Sequence, residues 1–316
     1  MFQISQRRAN DKIENKKDSV LLVVSEDYKT DLKNNLNDIS ANHIIKAIEA
    51  QKCTGKSGEI KSVAAPIDMK ADIVHVLVVG KEDTTDKFEA LAGNIAGKLY
   101  RDVTEATLYF LNDDYTTEQK SSFMLGFELR CYHFDHYRTT LEDDALAQFE
   151  TMSLYDTDHK ALETAYEDIL CILQGVFTAR DLVGEPANIL YPESYAERCL
   201  ELKKLGLKVT VLDEQKMAKE GMYSLLGVGQ GSVRESKAVI LELKNNKAKD
   251  AETLALVGKG VTFDTGGISL KPGRNMWDMI FDMGGSAAVV GTMVALAARG
   301  AKANICLLYT SDAADD

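Results

Sequence analysis

Residues 254–272 read LALVGKGVTFDTGGISLKP, an apolar segment that runs into a glycine-rich loop. Short apolar segments of this kind are typical of buried strands, and open α/β sheets bind ligands in the loops that follow the carboxyl ends of their strands. The paired glycines allow positive φ angles and let the backbone approach a ligand closely. The stretch therefore predicts a strand followed by a ligand-binding loop in an α/β fold.

Four charged residues stand out in and after this loop: Lys259, Asp264, Lys271 and Asp282. Two carboxylates and two amines are thus concentrated among small and apolar residues, which favours a chemical role. The spacing alone is explained equally well by purely structural roles for these residues. Asp282 could cap a helix that starts near Gly285, Asp264 could form an Asx turn, and the lysines could be solvated loop charges.

Outside this loop, strand-like and helix-like segments alternate along the whole chain, which predicts an α/β protein. Short apolar, β-branched runs predict strands at 19–24, 72–80, 105–111, 208–212, 238–243 and 253–257. Apolar residues at helical spacing predict helices at 86–101, 159–183 and 285–299.

Hydrophobic periodicity fades between Thr139 and Asp158, where acidic and small residues dominate. We therefore predict an N-terminal α/β domain over residues 1–150 and a second α/β domain over residues 151–305. The final segment, 306–316, reads CLLYTSDAADD and resembles the translation of a transposon-end adapter used in sequencing libraries. We expect this tail to be non-native.

Composition narrows the function classes. The 316 residues carry a formal net charge of -12, so the chain lacks the basic surface that nucleic acids or anionic membranes attract. The five cysteines are scattered without a CxxC pair, which favours free thiols in a reducing compartment. The N-terminus has no signal-peptide pattern, and the apolar run 286–298 is shorter than the roughly 18 residues of a membrane span. We expect a cytoplasmic protein.

Common catalytic motifs are missing from the sequence. It contains no HExxH and no GxSxG. The run TGKS at 54–57 has the end of a P-loop, but Ala50 stands where the first glycine is required. The run GVGQGS at 227–232 has Ser232 in place of the last glycine of a dinucleotide-binding turn. We interpret both as ordinary loops or turns.

Two longer stretches carry a family resemblance. GKGVTFDTGGISLKP at 258–272, with DMGG at 282–285, closely resembles the two-metal leucyl aminopeptidases, also called cytosol aminopeptidases. RDLVGEPANILYPE at 180–193 is similar to the same family's segment leading into the catalytic domain, with Gly184 where asparagine is usual. The resemblance runs from about 177 to 305, and the first 150 residues share it only weakly. It implies a macro-like N-terminal sheet domain and a catalytic domain with a helix-covered, mostly parallel sheet.

Carried over residue by residue, the resemblance implies that Lys259, Asp264 and Asp282 bind two divalent metal ions, either Mn²⁺ or Zn²⁺ and possibly Mg²⁺. It implies that Lys271 is a catalytic lysine that stabilises the developing oxyanion. The implied activity is release of leucine-like N-terminal residues from peptide substrates, and the implied assembly is a homohexamer. No nucleic acid or membrane partner is expected.

The most severe departure from the family lies on the C-terminal side of the chain. The family's remaining metal carboxylates and an arginine come from a later NTDAEGR segment, which this sequence lacks. No Asp or Glu follows Asp282 until Asp312. We therefore expect a C-terminally truncated and inactive catalytic domain. Two alternatives remain: a noncatalytic protein whose residues 1–150 bind a nucleotide-like ligand or a partner, and an amidohydrolase or phosphatase on a similar metal centre.

Overall fold

The computed structural model describes residues 2–7, 11–99, 103–140, 149–248 and 250–311. The chain divides into two units, Met1–Ile169 and Leu170–Asp316. This division falls later than the predicted boundary at 150, because a strand at Thr151–Asp156 pairs on both sides within the first sheet. Residues 141–148, in the region where the sequence predicted the boundary, lie outside the described residues.

The first unit is built on a six-stranded sheet in the order β1-β6-β5-β2-β4-β3. All neighbours in it are parallel except β3 and β4, which are antiparallel. The strands are β1 Phe2–Gln6, β2 Ser19–Val24, β3 Ile60–Ala64, β4 Ile73–Val78, β5 Glu105–Phe110 and β6 Thr151–Asp156. The helices are α1 Tyr28–Asn35, α2 Asp38–Ala50, α3 Thr85–Leu99 and α4 Thr117–Cys131, and a short 3-10 turn covers Ile13–Asn15.

Local sequence signals account for the elements of this unit. Every residue of β2 is buried, as expected for a central strand with parallel neighbours on both sides. The predicted apolar face of α3 is buried. Helix α4 begins with a capping box, in which the side chains of Thr116 and Gln119 each accept a hydrogen bond from the other residue's backbone N–H.

The second unit contains a four-stranded sheet in the order β7-β8-β10-β9. The strands are β7 Lys208–Leu212, β8 Lys237–Lys244, β9 Thr253–Lys259 and β10 Asn304–Ser311. The helices are α5 His159–Gly184, which begins in the first unit, α6 Pro192–Glu201, α7 Glu214–Lys219, α8 Tyr223–Val228 and α9 Gly284–Ala298. Short 3-10 segments cover Leu202–Leu205 and Met276–Met283.

The α/β class with two sheet-containing units is confirmed, but the strand directions of the second sheet differ from the expectation. In the second sheet, β9 and β10 are the only parallel neighbours among the described strands, whereas β7–β8 and β8–β10 are antiparallel. A parallel return needs a crossover of a dozen or more residues, such as the one that α9 provides between β9 and β10. The loop between Lys244 and Thr253 is too short for one, so β9 runs opposite to β8.

The tail that the sequence predicts to be non-native is partly ordered. Residues as far as Ser311 belong to β10, which pairs with β8 on one side and with β9 on the other. Residues 312–316 lie outside the described residues.

One helical segment is longer and more apolar than the sequence analysis expected. Met276–Ala298 spans 23 residues and contains an 18-residue window with a mean hydropathy of 1.6, which by length and composition is sufficient to cross a membrane. The apolar run 286–298 is only a part of this segment that follows Asp282, and the 3-10 segment before α9 supplies the additional length. Core helices of soluble proteins pass the same criterion, and α9 contributes Ala287, Val290 and Met293 to the buried core of its unit.

Candidate metal centre

The loop after β9 turns sharply at its paired glycines. Gly266 has φ +100° and Gly267 has φ +113°, the left-handed region that side chains rarely adopt. A Cβ atom on Gly266 would lie 2.4 Å from the carbonyl oxygen of Ser269. The backbone N–H of Lys271 donates to the carbonyl of Thr265 at 2.9 Å and closes the turn. This geometry brings Lys271 back to the start of the loop.

Asp264 and Lys271 form an ion pair, with Lys271 Nζ 2.6 Å from Asp264 Oδ2. The other carboxylate oxygen of Asp264 accepts a hydrogen bond from the backbone N–H of Gly266 at 2.9 Å. The Asx-turn interpretation is therefore confirmed, and it coexists with the ion pair. Partial burial alone would raise the pKa of Asp264, but Lys271 and the Gly266 N–H, with a further contribution from Lys259, hold it below its ordinary value.

Lys259 and Asp282 form a second ion pair, with Lys259 Nζ 2.5 Å from Asp282 Oδ1. The Asp282 side chain is 19% exposed, and its Oδ2 is buried without a hydrogen-bond partner among the described residues. The helix-cap interpretation of Asp282 is wrong. The N-cap of α9 is Met283, and no side chain caps it.

Close backbone packing sets the distance between β9 and α9. A Cβ on Gly258 would lie 2.6 Å from the carbonyl oxygen of Gly285, so only glycine fits there. At the first turn of α9 the Ser286 hydroxyl donates to the Met283 carbonyl at 2.7 Å and accepts from the buried hydroxyl of Tyr195 at 3.0 Å. These contacts hold the end of the strand that carries Lys259 against the residues that follow Asp282.

The residues fit part of a metal shell. Two carboxylates and an amine are present, and the unpartnered Asp282 Oδ2 is an oxygen donor without another role among the described residues. However, no group of three His, Cys, Asp or Glu side chains suited to a metal ion occurs in the part of the chain that the structure describes. Two close dications need more carboxylate charge than this to offset their repulsion.

The structure adds one residue that the sequence analysis missed. Lys271 Nζ lies 3.1 Å from the sulfur of Met279, which belongs to the 3-10 segment before α9. Thioether sulfur is only a weak hydrogen-bond acceptor, so a methionine in the sequence gives little reason to predict a contact with a lysine. Met279 and Asp264 together define where the Lys271 ammonium sits.

When the chain is compared with known proteins, segments of both units match the same family. Residues 20–141 match the family model described as "Cytosol aminopeptidase family, N-terminal domain", and residues 177–312 match "Cytosol aminopeptidase family, catalytic domain". A "Probable cytosol aminopeptidase" from Bradyrhizobium sp. is 43% identical over 271 residues, covering 84% of this chain and 54% of the relative. One from Caulobacter vibrioides is 41% identical, covering 85% of this chain and 54% of the relative.

Solved structures share the fold. A tomato leucine aminopeptidase mutant superposes with a TM-score of 0.78 at 19% identity, covering 100% of this chain and 63% of that one. The bottromycin maturation enzyme BotP in complex with Mn gives a TM-score of 0.72 at 24% identity, covering 94% of this chain and 61% of that one.

The family models and the curated relatives agree on one family, and the solved structures share its fold. The chain belongs to the cytosol aminopeptidase family. It spans about half the length of the curated relatives that it matches.

Proposed function

We propose that the protein from which this chain derives is a cytoplasmic, metal-dependent aminopeptidase that releases leucine-like N-terminal residues from peptides. The observation that carries this proposal is the pair of lysine–aspartate contacts at the end of β9 and in the glycine-rich loop that follows it, in a chain of the cytosol aminopeptidase family. The family's name supports the reaction class, and the side-chain preference is part of the proposal. A homohexamer is proposed on the resemblance alone.

Lys259, Asp264 and Asp282 are the proposed metal-holding residues. Oxygen-rich donor sets suit Mn²⁺ and Mg²⁺ as well as Zn²⁺, and one structural neighbour is titled as a complex with Mn. When bound, a pair of divalent ions would polarise the scissile carbonyl and activate water for attack. Asp282 Oδ2 is buried and has no hydrogen-bond partner among the described residues, so it is the oxygen atom that a metal ion would satisfy.

Lys271 is the proposed catalytic lysine. Its side chain is 35% exposed, so the ammonium can be reached by a substrate while the Asp264 contact limits its movement. A fixed cation beside the scissile carbonyl stabilises the negative charge that develops on the carbonyl oxygen. The role proposed for Lys271 is therefore transition-state stabilisation and not metal coordination.

Substitutions in the complete protein separate these roles. Lys271→Ala should lower kcat for a leucyl amide by about 100-fold or more, because one preorganised oxyanion-stabilising group is lost, while metal content stays near normal. Asp264→Ala and Asp282→Ala should lose metal and activity together. Metal content is measured by elemental analysis after dialysis, and turnover is measured at saturating substrate.

A matched control is Lys302→Ala, an exposed lysine of the same unit that makes none of these contacts. It should leave both metal content and kcat unchanged. Equal loss of metal and activity in Lys271→Ala would show that Lys271 acts as a ligand. Normal metal content in both aspartate variants would leave Asp264 and Asp282 as structural residues only.

The 316-residue chain itself is proposed to be inactive. Its described residues provide two carboxylates at the candidate site, Asp264 and Asp282, and no Asp or Glu follows Asp282 until Asp312. We expect no turnover of a leucyl amide with Mn²⁺ or Zn²⁺ added to the purified chain. Metal-dependent turnover comparable to that of an intact relative would overturn this expectation. The family matches give no support to the nucleotide-like-ligand alternative or to the amidohydrolase and phosphatase alternatives.

A further inference from the structure

A cavity of about 1020 Å³ lies in the first unit, at the carboxyl ends of three parallel strands. Arg7 directly follows β1, Thr157 directly follows β6 and Asp113 follows β5 by three residues, and these strands are adjacent in the order β1-β6-β5. Residues 34–37, at the end of α1, form another wall. Open α/β sheets bind ligands at such carboxyl ends, and the volume is sufficient for a small molecule.

The Arg7 side chain is held in this cavity by neutral groups. Its guanidinium donates to Asn35 Oδ1 at 2.8 Å and lies over the Tyr109 ring, 5.4 Å from the centroid. The Asn35 amide is itself fixed, because it donates to the carbonyls of Asp31 at 2.8 Å and Leu111 at 3.0 Å. No carboxylate of the described residues forms an ion pair with Arg7. The guanidinium is therefore oriented while its charge stays available to an anion.

Charges of both signs line the cavity without pairing with one another. The lining residues that form no ion pair within the described part of the chain are Arg7, Lys12, Lys70, Glu14, Asp68 and Asp113. Glu14 instead accepts from the backbone N–H of Asn37 at 2.6 Å, and Asp68 accepts from the side-chain amide of Asn37 at 2.9 Å. Opposite charges that are held apart by neutral amides are complementary to a ligand that carries both signs.

We propose that this cavity binds a short peptide with free termini, whose carboxylate contacts Arg7 and whose ammonium contacts Glu14 and Asp68. A cavity of this volume is about 10 Å across, close to the length of three extended residues. A phosphate dianion fits less well, because the carboxylates that line the same cavity repel it. The proposal concerns the first unit alone and does not rest on the proposed catalytic reaction.

The test is isothermal titration of the 316-residue chain with trialanine, in about 0.15 M NaCl to screen diffuse attraction and with a chelator to remove metal ions. We expect saturable binding. Arg7→Gln and Asp68→Asn should each raise the Kd by about tenfold or more, because each removes a charged partner. Asparagine also tolerates the φ of +61° at Asp68. The matched controls, Arg138→Gln and Asp86→Asn, remove the same charges from exposed positions of the first unit and should leave the Kd within about twofold.

Modified peptides assign each charge to its partner. Trialanine amide, which lacks the carboxylate, should bind about tenfold more weakly than trialanine, and Arg7→Gln should weaken its binding no further. N-acetyl-trialanine, which lacks the ammonium, should show the same relation to Asp68→Asn. Inorganic phosphate at matched ionic strength should not displace trialanine.

The absence of saturable trialanine binding would overturn the proposal. Equal weakening by the site variants and their controls would also overturn it, because it would show general charge attraction. Equal affinities for trialanine and its amide would exclude the contact with Arg7, and displacement by phosphate would indicate an oxyanion site instead. Far-UV circular dichroism checks the fold of each variant. The comparison of trialanine with its amide and its acetylated form needs only the wild-type chain, so it decides the question even if a variant unfolds.

Discussion

A single carboxylate organises the loop at 54–57, which in sequence has the end of a P-loop. Glu59 accepts hydrogen bonds from the backbone N–H groups of Thr54 at 2.8 Å, Gly55 at 2.9 Å and Lys56 at 3.3 Å, and from the Thr54 hydroxyl at 3.1 Å. The Cys53 thiol donates to it as well, at 3.4 Å. Backbone N–H groups that could cradle a phosphate are thus occupied by the chain's own side chain. The interpretation of this segment as an ordinary loop fits its hydrogen bonding.

Glu59 should also make stability depend on pH in the acid range. Partial burial opposes ionisation, but the hydrogen bonds from Thr54, Cys53 and Gly55 outweigh it and lower the pKa of Glu59 to about 2. The unfolded chain takes up this proton near pH 4.5, so the contribution of Glu59 is complete above about pH 4.5 and is lost as pH falls toward 2.

Glu59→Gln should lower the free energy of unfolding of the first unit by about 1–3 kcal/mol at pH 7, because the charged acceptor is lost. The difference between wild type and variant should shrink as pH falls from 4.5 to 2. Urea unfolding at a series of pH values measures it. A difference that stays constant over this range would show that the carboxylate charge is not what stabilises the loop.

At the scale of elements, α5 and α9 cross with their backbones nearly in contact within the second unit. A Cβ on Gly175 would lie 2.3 Å from the carbonyl oxygen of Gly291, and a Cβ on Gly291 would lie 2.4 Å from that of Gly175. Neither backbone can move aside cheaply, so this crossing requires glycine on both helices. Small residues also line a groove of about 670 Å³ along the same two helices.

Gly291→Val should therefore lower the free energy of unfolding of the second unit by about 3 kcal/mol, through overpacking at the crossing. Gly227→Ala is the matched control, since Gly227 lies in α8 and a Cβ there meets nothing within 4 Å. That control should be neutral or stabilise by up to about 1 kcal/mol. Urea unfolding followed by Trp277 fluorescence compares them, and similar effects of the two substitutions would contradict the tight crossing.

At the scale of the whole molecule, the two units differ in how completely they bury apolar side chains. The second unit exposes large apolar side chains in and after the loop that carries Lys271, namely Ile268 at 99%, Trp277 at 69% and Phe281 at 64%. Its edge strand β9 also exposes Val257 at 74%. The first unit has a core centred on β2 and β4, whose inner residues are fully buried.

The position of β10 between β8 and β9 makes the second unit dependent on residues near the end of the chain. Deleting 306–316 removes all but two residues of β10, one of the two inner strands of its sheet, so we expect β8 to lose its protection from hydrogen exchange while β2 keeps its own. Deleting 312–316 alone, beyond Ser311, should leave both protected. Mass spectrometry of exchanged peptides distinguishes these outcomes, and a protected β8 in the longer deletion would contradict the sheet order.

Local patterns determined much of the fold. The burial of a strand or of one helix face leaves a period in the sequence, so 19–24 and 208–212 were predicted with the observed bounds, and α3, α5, α9 and the loop after β9 within a few residues. The four charged residues of the candidate site were likewise visible from their concentration in one short stretch of sequence, 259–282.

Tertiary structure alone decided the pairings. That Lys271 contacts Asp264 while Lys259 contacts Asp282 depends on the turn at Gly266 and on the packing of β9 against α9. Strand directions in the second sheet, and the place of β6 in the first, depend on where the chain returns to the sheet. Periodicity records which side of an element is buried, and it carries no information about which distant segment buries it.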